Sequence, residues 1–446
     1  MRANKDKNHT LAILLFFTIL LFLTGCLRVT ADDLYSLPQV SQDYLRLSEQ
    51  INIILSQGAE FSPPTNGQNR QAVQLKDING NGVNEVLAFF AIPGESTLSL
   101  YIFEMMDGDY TVVEIIEVVG DAFESVRYSD LDGDGEVEII LGWQMGPTLK
   151  YFSIFTVKEF RAVLLMREEF SEITLCDLTG NGNDDVIALR LPSQDTAALV
   201  QIYTLMPDGE ILNSEARLSA GVEAFAKIQA GMLSDNVNAL FVESEGRFDH
   251  GNLVTDIFAF QNDMFTNISL TGAGGVSEGT VRARNIYSAD INDDGVFKFP
   301  IPRLLKAQSD TPYYVMDWFS MDSSGDFDLA LTTYHNSFDE WYLILPPNWR
   351  EKVSVRRENI VSGERTVIFS FIANEDGPYV DFLKIHRLSG DIDEEREVSK
   401  GRVILTSEGL STYAFELLAA PNSHGLDFSE ELIRANFRLI YTEWTN

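Results

Sequence analysis

The chain has 446 residues, of which 45% are hydrophobic and 22% charged, and its 67 acidic against 33 basic side chains give a formal net charge of −34. So large a negative excess excludes nucleic acid as a partner and excludes electrostatic docking on anionic lipid. The apolar fraction is that of a chain that folds around a core.

Residues 1–25 read as a secretory signal. Arg2, Lys5 and Lys7 form a basic start, and Leu11 to Leu23 form an apolar run too short for a comfortable transmembrane helix. The run ends at Leu23-Thr24-Gly25-Cys26, which resembles the bacterial lipobox. That resemblance implies cleavage before Cys26, diacylglycerol on its sulfur and acylation of the new N-terminus. The protein is then expected to be a lipoprotein held on the extracytoplasmic face of the cell membrane. Several acyl chains would hold it stably, since each buried CH₂ adds about 0.8 kcal/mol. With Cys26 acylated, Cys176 has no partner for an intramolecular disulfide. It lies beside Ile173-Thr174-Leu175 and reads as a buried structural thiol.

Residues 26–67 are expected to form a tether and a helix. Within Ser41 to Ser56, apolar Tyr44, Leu45, Leu47, Ile51, Ile54 and Leu55 recur at nearly helical spacing, and Gly58 stops the run. Ser62-Pro63-Pro64-Thr65-Asn66-Gly67 is a loop. The helix is expected to pack on the outside, or at the closure, of the domain that follows.

An acidic, glycine-broken loop then recurs, each time running into a hydrophobic strand. The fullest copy is Asp130-Leu131-Asp132-Gly133-Asp134-Gly135-Glu136-Val137-Glu138. Asp130, Asp132, Asp134 and Glu138 place carboxylates at positions one, three, five and nine, and Glu136 is expected to offer its backbone carbonyl. Hard cations such as Ca²⁺ take six to eight oxygen ligands from just such alternating positions. Two further copies carry Asp77, Asn79, Asn81, Val83 and Glu85, and Asp177, Thr179, Asn181, Asn183 and Asp185, at the same positions. They have fewer charges and a weaker expected hold on calcium. A worn copy has Asp290, Asn292 and Asp294 but Lys298 at position nine. That lysine either places its ammonium where an ion would sit or points to solvent, and little calcium is expected there. Ala230 to Asn238 reads as a copy stripped of ligands. The starts at Asp77, Asp130 and Asp177 are 53 and 47 residues apart. Acid-glycine turns are often plain hairpin turns, but the ninth-position acid and the repeat argue for up to three structural Ca²⁺ sites.

A period of roughly 50 residues points to a propeller or another repeat array. Four strands fit between successive loops, as in a propeller blade. The repeat resembles the FG-GAP/VCBS repeats of integrin α-subunit propellers and of many bacterial surface proteins, over about residues 70–300. The resemblance implies a calcium loop between the strand that ends one sheet and the strand that starts the next. The expected fold is therefore mainly β, a β-propeller of about five to seven four-stranded blades over residues 68–360. A smaller α+β region or closing blade is expected over 361–446, with a short helix at Phe428–Phe437 capped by Asp427. Asp322 to Asp328 reads as a turn.

No catalytic constellation emerges. His250, His335, His386 and His424 lack partners at ligand spacing, and His335, near Asn336 and Asp339, reads as a surface-loop residue. Trp143, Trp318, Trp341 and Trp349 could line a sugar groove, although packing is the commoner use. The leading expectation is a binding module for a protein or envelope glycan. The alternatives are a polysaccharide-acting enzyme on the same scaffold or a structural subunit of an envelope assembly. A propeller by itself does not choose among them.

Overall fold

The computed structural model describes residues 42–270, 274–283, 285–306, 311–358, 363–372, 378–390, 397, 400–418, 426 and 428–440. The signal segment, Cys26, the tether, His424 and Asp427 lie outside the described residues. Among the described residues no helix is long and apolar enough to cross a membrane.

The described residues form a mainly β propeller of six antiparallel sheets met in chain order. Blade 1 holds Val73–Lys76, Glu85–Ala91, Thr97–Met106 and Asp109–Val119, with Glu60–Phe61 added beside its second strand. Blade 2 holds Ala122–Ser129, Glu138–Met145, Leu149–Lys158 and Arg161–Phe170. Blade 3 holds Glu172–Cys176, Asp185–Arg190, Leu199–Leu205 and Ile211–Arg217. Blade 4 holds Val222–Met232, Asn238–Phe248, Gly251–Gln261 and Met264–Asn267. Blade 5 holds Lys298–Leu304, Tyr314–Met321, Phe327–Asn336 and Trp341–Leu345. Blade 6 holds Val353–Glu358, Glu364–Ile372, Tyr379–Ser389, Val403–Glu408 and Ser411–Leu417.

The hydrophobic pattern of each strand follows its depth in the blade. In blades 1 to 3 the second strands are covered on both faces and carry buried apolar runs, as in Val86-Leu87-Ala88-Phe89-Phe90. Their alternate side chains serve two neighbours. Leu87 and Phe89 pack with Phe123, Ile139, Leu141 and Trp143 of blade 2. The opposite face of blade 2 meets Val186, Ala188, Tyr203 and Leu205 of blade 3. The same alternation joins blade 3 to blade 4 and blade 4 to blade 5. The fourth strand of blade 3, Ile211–Arg217, is largely exposed and carries polar residues accordingly, whereas that of blade 5, Trp341–Leu345, is buried.

The blade 1 end of this stack is covered from within the chain. Helix α1 (Gln42–Ser56) lays Ile51 and Ile54 on Val86, Ala88 and Phe90, the face of blade 1 turned away from blade 2. Arg46 pins the helix there by donating to the Gly108 carbonyl. Among the described residues no hydrophobic cluster joins blade 6 to blade 1. Blade 6 packs instead on Val315, Tyr334 and Leu343 of blade 5. The strand Phe437–Leu439 returns to pair with Trp341–Leu345, so the C-terminal segment completes blade 5.

Three expectations are corrected. The acidic loops do not link one sheet to the next. The loops at Asp77, Asp130 and Asp177 each join the first and second strands of a single blade, because the strands on either side pair with each other, Lys76 opposite Glu85, Ser129 opposite Glu138 and Cys176 opposite Asp185. The division expected at residue 360 falls inside blade 6, since Val353–Glu358 pairs with Glu364–Ile372. Helix α2 (Glu430–Asn436) is capped by Ser429, whose hydroxyl accepts from the Leu432 N–H at 3.3 Å.

Phe89 is fully buried between blades 1 and 2, edge-on to Phe123 at 5.2 Å. Phe89→Ala is expected to cost about 3–5 kcal/mol, read from the urea midpoint. Exposed Leu75→Ala should leave that midpoint within error. Equal effects would contradict the blade interface.

Candidate metal centre

In blade 2 the strand Ala122–Ser129 ends at Ser129, and the chain must reverse before Glu138 can pair with it. The loop is tied by its own carboxylates. Asp130 accepts from the Gly133 and Gly135 N–H groups at 2.7 and 3.0 Å. Asp132 accepts from Asp134 N–H at 3.2 Å, and Asp134 from Glu136 N–H at 2.8 Å. Glu138 reaches back to the Leu131 N–H at 2.9 Å. Gly133 and Gly135 hold φ of 76° and 91°, which a side chain rarely adopts.

This wrap brings oxygens of Asp130, Asp132 and Glu138 within 4.8 Å of one another. Glu138 is fully buried, and its Oε1 has no hydrogen-bond partner. Burial, followed by the Asp132 and Asp134 charges, outweighs the Leu131 N–H and the neighbouring Thr156 hydroxyl, itself short of hydrogen-bond geometry, and pushes the Glu138 carboxyl up to about 7. Asp132 is raised for the same first reason. Buried carboxylates that face each other with an unfilled acceptor fit a hard cation. A divalent ion would satisfy the free oxygen and cancel the repulsion. Asp134 stands outside the trio, with its carboxylate 3.5 Å from Lys158 at the surface.

The other loops repeat the wrap with less charge. In blade 1, Asp77 accepts from Gly82 N–H at 2.7 Å, while its other oxygen is buried without a partner. Asn79 and Asn81 accept from the Asn81 and Val83 N–H groups at 3.1 and 2.7 Å. Glu85, 1% exposed, accepts from Ile78 N–H at 2.9 Å and from the Asn79 amide at 3.0 Å. In blade 3, Asp177 gathers the N–H groups of Gly180, Asn181 and Gly182, and Asn181 accepts from Asn183 N–H at 2.8 Å. Asp185 is one methylene shorter than Glu138. Both its oxygens are satisfied, by the Leu178 and Thr179 N–H groups and by the Thr204 hydroxyl. Asp130 therefore leads a ranking in which the Asp177 loop has the least unmet demand.

The sequence did not reveal that these loops touch. Val137 N–H donates to the Ile78 carbonyl at 2.9 Å, linking the loops of blades 1 and 2. There a Cβ on Gly80 would come within 2.2 Å of the Gly135 carbonyl oxygen, so the approach needs glycine. Ser129 donates to Asp184 at 2.7 Å, linking blades 2 and 3. The Asn238 amide donates to the Asp177 carbonyl at 2.7 Å, and Phe297 N–H donates to the Met232 carbonyl at 2.9 Å, continuing the row to blades 4 and 5. Thr204, Ser129 and Asp184 carry no motif. Only strand register brings them to the loops.

In the fifth loop Asp290 accepts from the Asp294 and Gly295 N–H groups at 3.0 and 2.8 Å, the same wrap again. Lys298 points inward, 2% exposed, with Nζ 2.6 Å from Asp294 and 2.8 Å from the Val296 carbonyl. Burial raises Asp294, but the Lys298 ammonium outweighs it and holds that carboxyl at about 2. Asn292 donates to Asp294 at 2.9 Å. Asp322 caps Ser324 and Asp326 in the hairpin turn it was expected to form.

The remaining candidates are structural. Trp143, Trp318, Trp341 and Trp349 are each at most 1% exposed, so the sugar-groove reading of these four is withdrawn. His335 is not in a loop. It lies on Phe327–Asn336, stacked on Tyr342 at 5.1 Å with both ring nitrogens shut off from solvent, and burial lowers it to about 3. Burial, followed by the charges of Asp185, Asp184 and Asp177, pushes the Cys176 thiol up to about 12, which keeps it unreactive.

No protein-family model matches the chain, and no curated protein matches it. Solved structures align with much of its length at low similarity. The exotype rhamnogalacturonan lyase YesX shares 12% identity over 80% of this chain and 72% of its own, with a TM-score of 0.29. The rhamnogalacturonan lyase YesW shares 10% identity over 72% of this chain and 77% of its own, with a TM-score of 0.27. The Dos1 propeller shares 10% identity over 80% of this chain and 81% of its own, with a TM-score of 0.27. Likeness of this size leaves the activity open, and the blade assignment rests on strand pairing.

In protein freed of metal by chelator, Glu138 binds its proton more tightly folded than unfolded. Its folded value near 7 lies above the usual 4.5. Stability should therefore fall as pH rises from about 4.5 to about 7, by at most about 1.4 kcal/mol per unit. Glu138→Gln should flatten that slope in urea unfolding. Identical slopes would contradict the buried-carboxylate account.

Proposed function

We propose that this is an extracytoplasmic lipoprotein, anchored through Cys26, whose FG-GAP/VCBS-like propeller is stabilised by calcium and offers a binding face to a protein or an envelope glycan. The observation that carries the calcium reading is the buried, partnerless Oε1 of Glu138 beside Asp130 and Asp132. The ion's role is structural. It fills a loop that otherwise repels itself, and through the loop contacts it holds blades 1, 2 and 3 in register. Binding is favoured over catalysis because, among the described residues, the three acids whose oxygens gather within 4.8 Å, Asp130, Asp132 and Glu138, are accounted for by loop closure. The histidines His335 and His386 are buried and held neutral, lowered by burial to about 3 and about 4. A general base needs a group poised near the working pH. A polysaccharide-acting enzyme or an envelope structural subunit is the alternative, and no geometry among the described residues favours either.

Thermal unfolding of residues 27–446 in excess calcium and in chelator tests this reading. A ligand at a hundredfold its dissociation constant stabilises by about 2.7 kcal/mol, so calcium should raise the melting temperature by several degrees and Asp132→Ala should abolish the rise. No shift, or a shift kept by Asp132→Ala, would sink it.

A further inference from the structure

Lys298 occupies the ninth position of the fifth loop, where the first three loops carry Glu85, Glu138 and Asp185. Reciprocal backbone bonds between Ala289 and Lys298, at 3.0 and 2.9 Å, put it in the hairpin position that Glu138 holds opposite Ser129. From there its ammonium turns into the loop. It lies 2.6 Å from an oxygen of Asp294 at position five, 2.8 Å from the Val296 carbonyl at position seven and 4.0 Å from Asp290 at position one. These are the positions that supply oxygens to a cation in a loop of this pattern. An ammonium with three donors can meet three such oxygens, and a covalent tether makes it independent of the ion concentration outside.

We propose that the fifth loop is a cation site filled permanently by the chain's own Lys298. The fourth loop needs no cation either. It closes on its backbone, with Leu233 N–H on the Val237 carbonyl at 2.9 Å and Asn236 at φ 63°. The propeller is thus divided into blades 1 to 3, whose loops depend on calcium, and blades 4 and 5, whose loops are ordered without it. The division rests on the calcium reading above. The role of Lys298 does not.

Two variants and one wild-type measurement test this. Lys298→Met keeps the length and removes the charge, leaving Asp290 and Asp294 without their cation. Its melting temperature should fall by several degrees, equally in chelator and in calcium. Lys298→Glu restores the ninth carboxylate. It should be low in chelator and recover in calcium, with one more ion bound than wild type. In wild-type protein, chelator should speed amide exchange at 77–85, 130–138 and 177–185 but not at 233–238 or 290–298. An unchanged melting temperature for Lys298→Met overturns the lysine's role, whether or not Lys298→Glu folds. Faster exchange at 290–298 in chelator overturns the division. A destabilised Lys298→Met in a protein that ignores calcium leaves the lysine's role standing and overturns both the division and the calcium reading.

Discussion

At Asp130, Asp132 and Glu138 three carboxylates come together in a loop that one strand must make to pair with the next, and their oxygens lie within 4.8 Å. Two like charges at that separation repel by a few kcal/mol near a protein surface. Hydrogen bonds from the loop's own N–H groups offset part of this, as Leu131 does for Glu138. They leave Oε1 of Glu138 bare. The loop is therefore unfinished as a purely protein structure. It can be completed by a proton, which the raised Glu138 carboxyl would accept, or by a cation, which would satisfy all three acids together.

The consequence reaches beyond one loop because the loops stand in contact. Ile78 receives the Val137 N–H while its own N–H serves Glu85, and Ser129 ties Asp184 to the start of the next site. A cation in one of the first three loops would thus stiffen its neighbours among those three, and the blades behind them are packed by Phe89, Trp143 and Tyr203. The fifth loop solves the same electrostatic problem differently. Its ninth residue is the counter-ion.

Much of this was legible in the chain. The acids at alternating positions, the roughly 50-residue repeat and the apolar runs that follow each loop announce the blades and locate the candidate ligands, because strand register and loop closure are local. The helical spacing of Ile51 and Ile54 likewise marks the face that covers blade 1. What could not be read was non-local. That the loops lie within blades, that Phe437–Leu439 returns to blade 5, and that Ser129 meets Asp184 depend on which strands pair and stack. His335 looked exposed because Asn336 and Asp339 are polar, yet it lies on a packed strand between Trp318 and Tyr342. Lys298 could be read either way from sequence. Its burial at 2% decided the matter.

The most direct test of the central claim is a calorimetric titration of calcium into chelator-treated protein lacking residues 1–26. The account predicts saturable binding of at most three ions per chain, with the tightest site lost on Glu138→Gln and magnesium unable to compete at equal concentration. Absence of heat and of binding at millimolar calcium would contradict it, and so would binding that Glu138→Gln leaves intact.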